Sequence, residues 1–161
     1  MAAASTLKLS TEIAEKIRSH GAETYPHECC GALLGRDAEV GETPSAEGAH
    51  LVAREILALF PLVNRRDDSP RNRFSVTSDD VRDAEKAARG KDLDVVGWYH
   101  SHPDHPAKPS QYDRDHAWPW YSYIIVSVAS GQPQEMTSWR LSDDRADFAP
   151  EEVAIRDHAA I

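Results

Sequence analysis

The stretch that most restricts how this chain can fold is Asp94-Val95-Val96-Gly97-Trp98-Tyr99-His100-Ser101-His102-Pro103, followed closely by Ser110-Gln111-Tyr112-Asp113. Its first half is short, apolar and rich in β-branched and aromatic residues, which reads as a buried strand. Alternate side chains of a strand face the same side, so His100 and His102 can converge on one ion at the strand's end. Pro103, which has no N–H for a ladder, stops the strand.

Beyond a polar loop holding Pro106 and Pro109, Ser110 fits the N-cap of a short helix running through Gln111 to Ala117, which places Asp113 in its first turn. A carboxylate there can turn back toward the two imidazoles. Two His and one Asp make three protein ligands, the number that leaves zinc a fourth position for water or substrate. A His-x-His pair in isolation is more often a polar strand end, and this chain has eight histidines. The conjunction with Pro103, Ser110 and Asp113 is what favours a metal site.

A hydrolytic metal site also needs a base, and a carboxylate near a strand start can supply it. The segment Tyr25-Pro26-His27-Glu28-Cys29-Cys30-Gly31-Ala32-Leu33-Leu34-Gly35 offers Glu28. Glu28 in Pro-x-Glu-x-Cys-Gly-x-Leu-x-Gly, followed by His-Ser-His-Pro and Ser-x-x-Asp, resembles the JAMM (MPN-plus) zinc metalloprotease family. That family's pattern is a Glu, then His-Ser/Thr-His, seven residues, Ser, two residues and Asp, and positions 103 to 109 and 111 to 112 supply the intervals here.

The resemblance implies His100, His102 and Asp113 as zinc ligands, Glu28 as general base and then acid, and Ser110 as a donor to the tetrahedral oxyanion. It implies one α/β domain over residues 1–161, with a central mixed β-sheet flanked by helices, a fold thought to be related to that of cytidine deaminases. It implies hydrolysis of an amide or isopeptide bond at the C-terminus of a ubiquitin-like protein, whose Gly-Gly tail is thin enough to enter a narrow cleft and pair with a sheet edge. The chain has little room for the long insertions of polyubiquitin-specific members, so it is more similar to the compact prokaryotic ones, which are associated with sulfur carriers. The expected partner is therefore a ubiquitin-like sulfur carrier, relieved of a cysteine adduct or a C-terminal extension, and a homodimer is left open.

Composition narrows the alternatives. A chain of 161 residues suits one domain. A net charge of -9 argues against a sequence-independent grip on nucleic acid, which needs a basic face. The two cysteines, adjacent at 29 and 30, cannot make the spaced framework of a secreted disulfide protein, so a reducing cytoplasm is the natural setting. No apolar run reaches the roughly 18 residues of a membrane span, and Met1-Ala2-Ala3-Ala4 lacks the features of a signal peptide. A catalytically silent scaffold of the same fold would not need an intact Glu28, His100, His102 and Asp113. An isopeptidase acting on another ubiquitin-like modifier stays open. A zinc deaminase would need His-x-Glu and Pro-Cys-x-x-Cys, and neither occurs.

The remaining elements read coarsely. Ser10 as N-cap, Glu12, Ile13, Ala14 and Ile17 predict a helix ending at Gly21. Cys30 to Leu34 reads as a strand closed by Gly35, and His50 to Val63 as apolar stretches of strand or helix. Asn64 to Asn72 reads as a solvated loop, and Phe74-Ser75-Val76 as a short strand. Ser78-Asp79-Asp80 starts a helix with Val81, Ala84, Ala87 and Ala88 on its apolar face, ending at Gly90. Tyr121 to Val128 is the strongest strand, paired antiparallel with Met136 to Leu141, and Pro150-Glu151-Glu152 suits the start of a short terminal helix. Trp118-Pro119-Trp120 follows the metal-site helix and is placed to edge a cleft.

Overall fold

A computed structural model of the chain describes residues 5–40, 51–63 and 76–157. In chain order its elements are β1 (Ser5–Ser10), α1 (Thr11–Thr24), β2 (Cys30–Val40), β3 (Leu51–Leu62), α2 (Ser78–Gly90), β4 (Asp94–Pro103), α3 (Gln111–His116), β5 (Ser122–Ala129), β6 (Gln132–Leu141) and β7 (Phe148–Arg156). The fold is α/β with one mixed sheet, as expected, and the sheet closes on itself in the order β1-β3-β2-β4-β5-β6-β7. β4 runs parallel to β5, β1 runs parallel to β3 and β7, and the other neighbours are antiparallel. Closure is partial, since β1 pairs with β3 only over Val52 to Glu55, and among the described strands Ile56 to Leu62 have β2 alone as a neighbour.

Two apolar clusters cover the two faces of this sheet. On one, Ile13, Ala14 and Ile17 of α1 pack with Leu7, Leu33, Val96, Tyr99, Ile124 and Val126. On the other, Ala84 and Ala88 of α2 pack with Ala32, Leu34, Val95, Trp98 and Tyr123. β4 and β5 lie between them and are buried along almost their whole length, which is why both read as continuous apolar runs rather than alternating ones.

Local signals were sound where a side chain closes a helix and weaker where backbone geometry decides. Ser10 caps α1 by accepting from the Ile13 N–H. The helix does not end at Gly21. It continues to Thr24, and Gly21 sits where a Cβ would come within 3.0 Å of Val128 and 3.3 Å of Ser101, so this glycine permits close packing on β4 and β5. β2 likewise runs through Gly35 to Val40; a Cβ there would meet the Glu55 carbonyl oxygen, beside a register shift at Leu34/Gly35. α2 is capped by Thr77, one residue before the predicted start, in a reciprocal box with Asp80.

The segment His50 to Val63 resolves into strand β3 from Leu51 onward. The loop expected over Asn64 to Asn72 and most of the strand expected at Phe74-Ser75-Val76 lie outside the described residues, and Val76 itself is in no strand. The terminal helix expected at Pro150 is a strand instead, and β1 was not foreseen. β7 pairs with β6 through Trp139↔Pro150 and with β1 through Leu7↔Val153. Closing the sheet requires these two segments to be strands, a long-range demand that overrides the helical start signal of Pro-Glu-Glu. No helix among the described residues is long and apolar enough to cross a membrane.

Candidate metal centre and cleft

Three elements meet at the C-terminal end of β4. Opposite Leu33 and Leu34 of β2, β4 presents Gly97 and Val95, so Val96 is an extra residue that bulges the strand. An uninterrupted strand would put Val96 and His100 on one face. The bulge leaves Val96 in the α1 cluster while Trp98 and His100 face the other side, where α3 approaches.

His100 and His102 are buried, with their Nε2 atoms 3.1 Å apart. Asp113, in the first turn of α3, places Oδ1 3.3 Å from His100 Nε2 and Oδ2 3.2 Å from His102 Nε2. These three side chains form the one His/Cys/Asp/Glu group among the described residues that could hold a metal ion. Their donor chemistry fits. His102 Nδ1 lies 2.9 Å from the Pro106 carbonyl oxygen, which only accepts, so Nδ1 carries the proton and the neutral ring has its lone pair on Nε2. That lone pair faces the Asp113 oxygen and the second imidazole nitrogen, an arrangement of acceptors that is stable only with a cation or a proton between them. Two nitrogens and a carboxylate oxygen about 3 Å apart suit zinc, whose ligands lie about 2.0–2.1 Å from the ion in tetrahedral array.

Ser110 is the N-cap expected of it, and the structure adds a reciprocal capping box with Asp113. Its Oγ accepts from the Asp113 N–H at 3.1 Å, and its own N–H donates to Asp113 Oδ2 at 2.8 Å. The same carboxylate therefore starts the helix and faces the histidines. Burial pushes the Asp113 carboxyl upward, but attraction to His100, hydrogen bonds with both histidines and the Ser110 N–H outweigh it and hold the carboxyl well below the usual range.

Glu28 is 4% exposed, and it lies just before β2. Cys30 pairs with His100, the Ser101 N–H donates to the Cys29 carbonyl, and the Cys29 N–H donates to Ser101 Oγ at 2.8 Å. Continuing that antiparallel register sets Glu28 opposite His102. Ser101 is the residue whose role sequence reasoning did not assign. It sits between the histidines, is fully buried, and fixes the backbone that carries Glu28. The signal was its position inside His-Ser-His, where alternation turns a small hydroxyl to the opposite face. Cys29 and Cys30 are buried free thiols whose pKa is pushed up to about 12 by desolvation first, so they remain protonated packing groups.

A cleft of about 760 Å³ opens over His100 and Asp113. Trp118, Pro119 and Trp120 border it as expected, as do Tyr112, Tyr123 and Phe148. Glu28 lines a second, more open cleft of about 560 Å³ with His20, Tyr25 and His27.

Residues 10–142 match the family described as prokaryotic homologues of the JAB domain. The chain is 32% identical over 128 residues to a desampylase from Haloferax volcanii, spanning 76% of this chain and 81% of that protein. Among solved structures, a protein from Salinibacter ruber is 41% identical with a TM-score of 0.66, covering 96% of this chain and 94% of its own. A protein from Desulfitobacterium hafniense is 27% identical with a TM-score of 0.75 and covers 94% of both chains.

Proposed function

This chain belongs to the family of prokaryotic JAB-domain homologues, and from that premise we propose that it is a zinc isopeptidase that cuts the amide bond at the C-terminus of a ubiquitin-like sulfur carrier. That it is a hydrolase of the isopeptidase class follows from the family and the desampylase relative, which also supports a ubiquitin-like modifier as substrate. The observation that carries the reading is the convergence of His100 Nε2, His102 Nε2 and the Asp113 carboxylate, with His100 and Asp113 lining a cleft. Three ligands leave a fourth position open, which is the catalytic rather than the structural pattern.

When bound, zinc supplies Lewis acidity that polarises the substrate carbonyl and eases the deprotonation of water. The chain's own residues do the rest. The Pro106 carbonyl fixes the His102 tautomer, so that Nε2 presents its lone pair to the ion. Glu28 takes a proton from the attacking water and returns it to the leaving amine, serving as base and then as acid. The Ser110 cap uses a hydroxyl lone pair and leaves the O–H proton to donate to the oxyanion, so capping and catalysis do not compete. The two buried free thiols support a reducing setting, the cytoplasm.

The test is a pair of variants assayed against sulfur carriers bearing a C-terminal amide-linked adduct, read by mass spectrometry alongside metal content. Glu28→Gln is expected to keep fold and zinc while kcat falls by about 10²–10⁴-fold, the usual contribution of a general base. His102→Ala is expected to lose the metal. A Glu28→Gln protein with wild-type turnover overturns the mechanism, and wild-type protein that leaves every carrier intact while cutting another ubiquitin-like conjugate overturns the carrier assignment.

A further inference from the structure

The aromatic lip of the cleft is built more firmly than an incidental surface loop. Trp118 and Trp120 are 64% and 51% exposed, whereas Trp98 is buried. Each exposed indole has a cation against it: the Arg54 guanidinium lies 4.4 Å from the Trp120 ring centroid, and Arg145 lies 5.2 Å from that of Trp118. The backbone is pinned as well. Trp120 sits at φ +82°, an unusual value for a bulky residue, and its carbonyl accepts from Arg54 Nη1 at 2.8 Å. The Trp118 N–H donates to the Tyr123 hydroxyl at 2.8 Å.

Arg54 is itself immobilised. It is fully buried on β3, makes a two-pronged pair with Asp37 at 2.7 and 3.1 Å, and reaches the Val96 carbonyl at 2.9 Å and Ser122 Oγ at 3.1 Å. A buried guanidinium that spends its fork on the sheet and on the lip ties the two together. Trp120 is thereby fixed relative to Val96, the bulge that aims His100 into the same cleft.

We propose that Trp118-Pro119-Trp120, locked by Arg54, is a specificity lip that selects a bulky apolar side chain close to the scissile amide. This rests on the isopeptidase reading and deepens it. The cleft has the volume of a drug-sized ligand site, far more than two glycines can fill, and Val76, Val81, Trp98, Pro109 and Phe148 add apolar wall beside the polar Asp115, His116 and Arg145. Rigid, half-exposed aromatics beside such walls gain from covering an apolar group and discriminate weakly among thin polar ones. Arg54 is a positioning residue here: it touches the lip and not the substrate.

The experiment uses the zinc-loaded full chain and two quenched-fluorescence peptides with an amide after Gly-Gly, one carrying Leu and the other Ser at the neighbouring position. Wild type is expected to favour the Leu peptide by about tenfold in kcat/KM, within the range that apolar pockets deliver. Trp120→Ala, which keeps the carbonyl that Arg54 holds, is expected to raise KM for the Leu peptide alone and bring the ratio near one, with kcat unchanged. Arg54→Lys, which keeps the charge and lacks the fork, is expected to bring the Leu-to-Ser ratio of kcat/KM toward one, with a rise in acrylamide quenching of the tryptophans reporting a loosened lip. Equal losses on both peptides, or an unchanged preference in Trp120→Ala, overturn the lip. Tight binding of the Leu product peptide that depends on Trp120, without hydrolysis of either substrate, keeps the lip and removes the isopeptidase reading. Hydrolysis of both peptides at one rate by wild type does the reverse.

Discussion

At the scale of single residues, the two faces of β4 carry different chemistry. His100 and His102 face the candidate metal centre, while Tyr99, one position away, points toward α1 and meets His20 through a 2.7 Å hydrogen bond to Nδ1. Desolvation lowers the His20 pKa, and Glu23 offsets this only in part. The folded protein resists a proton that the unfolded chain accepts, so the His20 contribution to stability is complete above the ordinary histidine value. It is lost as pH falls from about 6.5 toward the lower folded value. Urea unfolding at pH about 7.5 and about 5.5 is expected to show a drop in midpoint for wild type that shrinks in His20→Gln, and an equal drop in both would assign the effect to other groups. The His, His and Asp of the candidate metal centre were legible in the sequence because coordination would demand such residue types. Ser101 was not, because its work is a hydrogen bond to another strand's backbone.

At the scale of elements, α3 is only Gln111–His116, too short to persist on propensity alone. Its capping box with Ser110 is what holds it, and the Asp113 carboxylate is shared between that box and the histidines. Ser110→Ala is expected to cost about 1 kcal/mol of stability through the lost cap and to weaken metal binding in the same protein, whereas Ser110→Gly costs a few tenths. Calorimetric titration of zinc into the apo forms, paired with thermal melts, checks this; a variant that loses stability while binding zinc as tightly as wild type would separate the cap from the metal site. The sequence announced this element through Ser-x-x-Asp, a local signal, and announced α1 and α2 through their caps. It misjudged Gly21 and Gly35 because those glycines answer to neighbouring strands rather than to local ends. Gly97, read only as part of its strand, answers to a neighbouring strand too, since a Cβ there would meet the Ser122 carbonyl across the β4–β5 pair.

At the scale of the whole molecule, the metal would bridge β4 and α3, two segments joined by a loop and otherwise held by packing. A ligand that binds only the folded state stabilises it by mass action, about 4 kcal/mol at a thousandfold excess over Kd. Chelation is therefore expected to lower the melting temperature of wild-type protein and to leave that of His102→Ala unmoved, and an equal shift in both would mean that the ion acts elsewhere. By itself the sequence announced the candidate ligand cluster of His100, His102 and Asp113, the Ser10 and Ser110 caps and the central strands, because each is written in a short stretch of chain and in chemistry that few residue types can perform. Only the tertiary structure decided that Ser5–Ser10 and Phe148–Arg156 are strands, that the sheet closes, and that a bulge at Val96 turns the histidines toward α3. It also decided that Arg54 lies beneath Trp120. These depend on partners far away in the chain, and a strand has no local signature for which strand it will meet, or in what register.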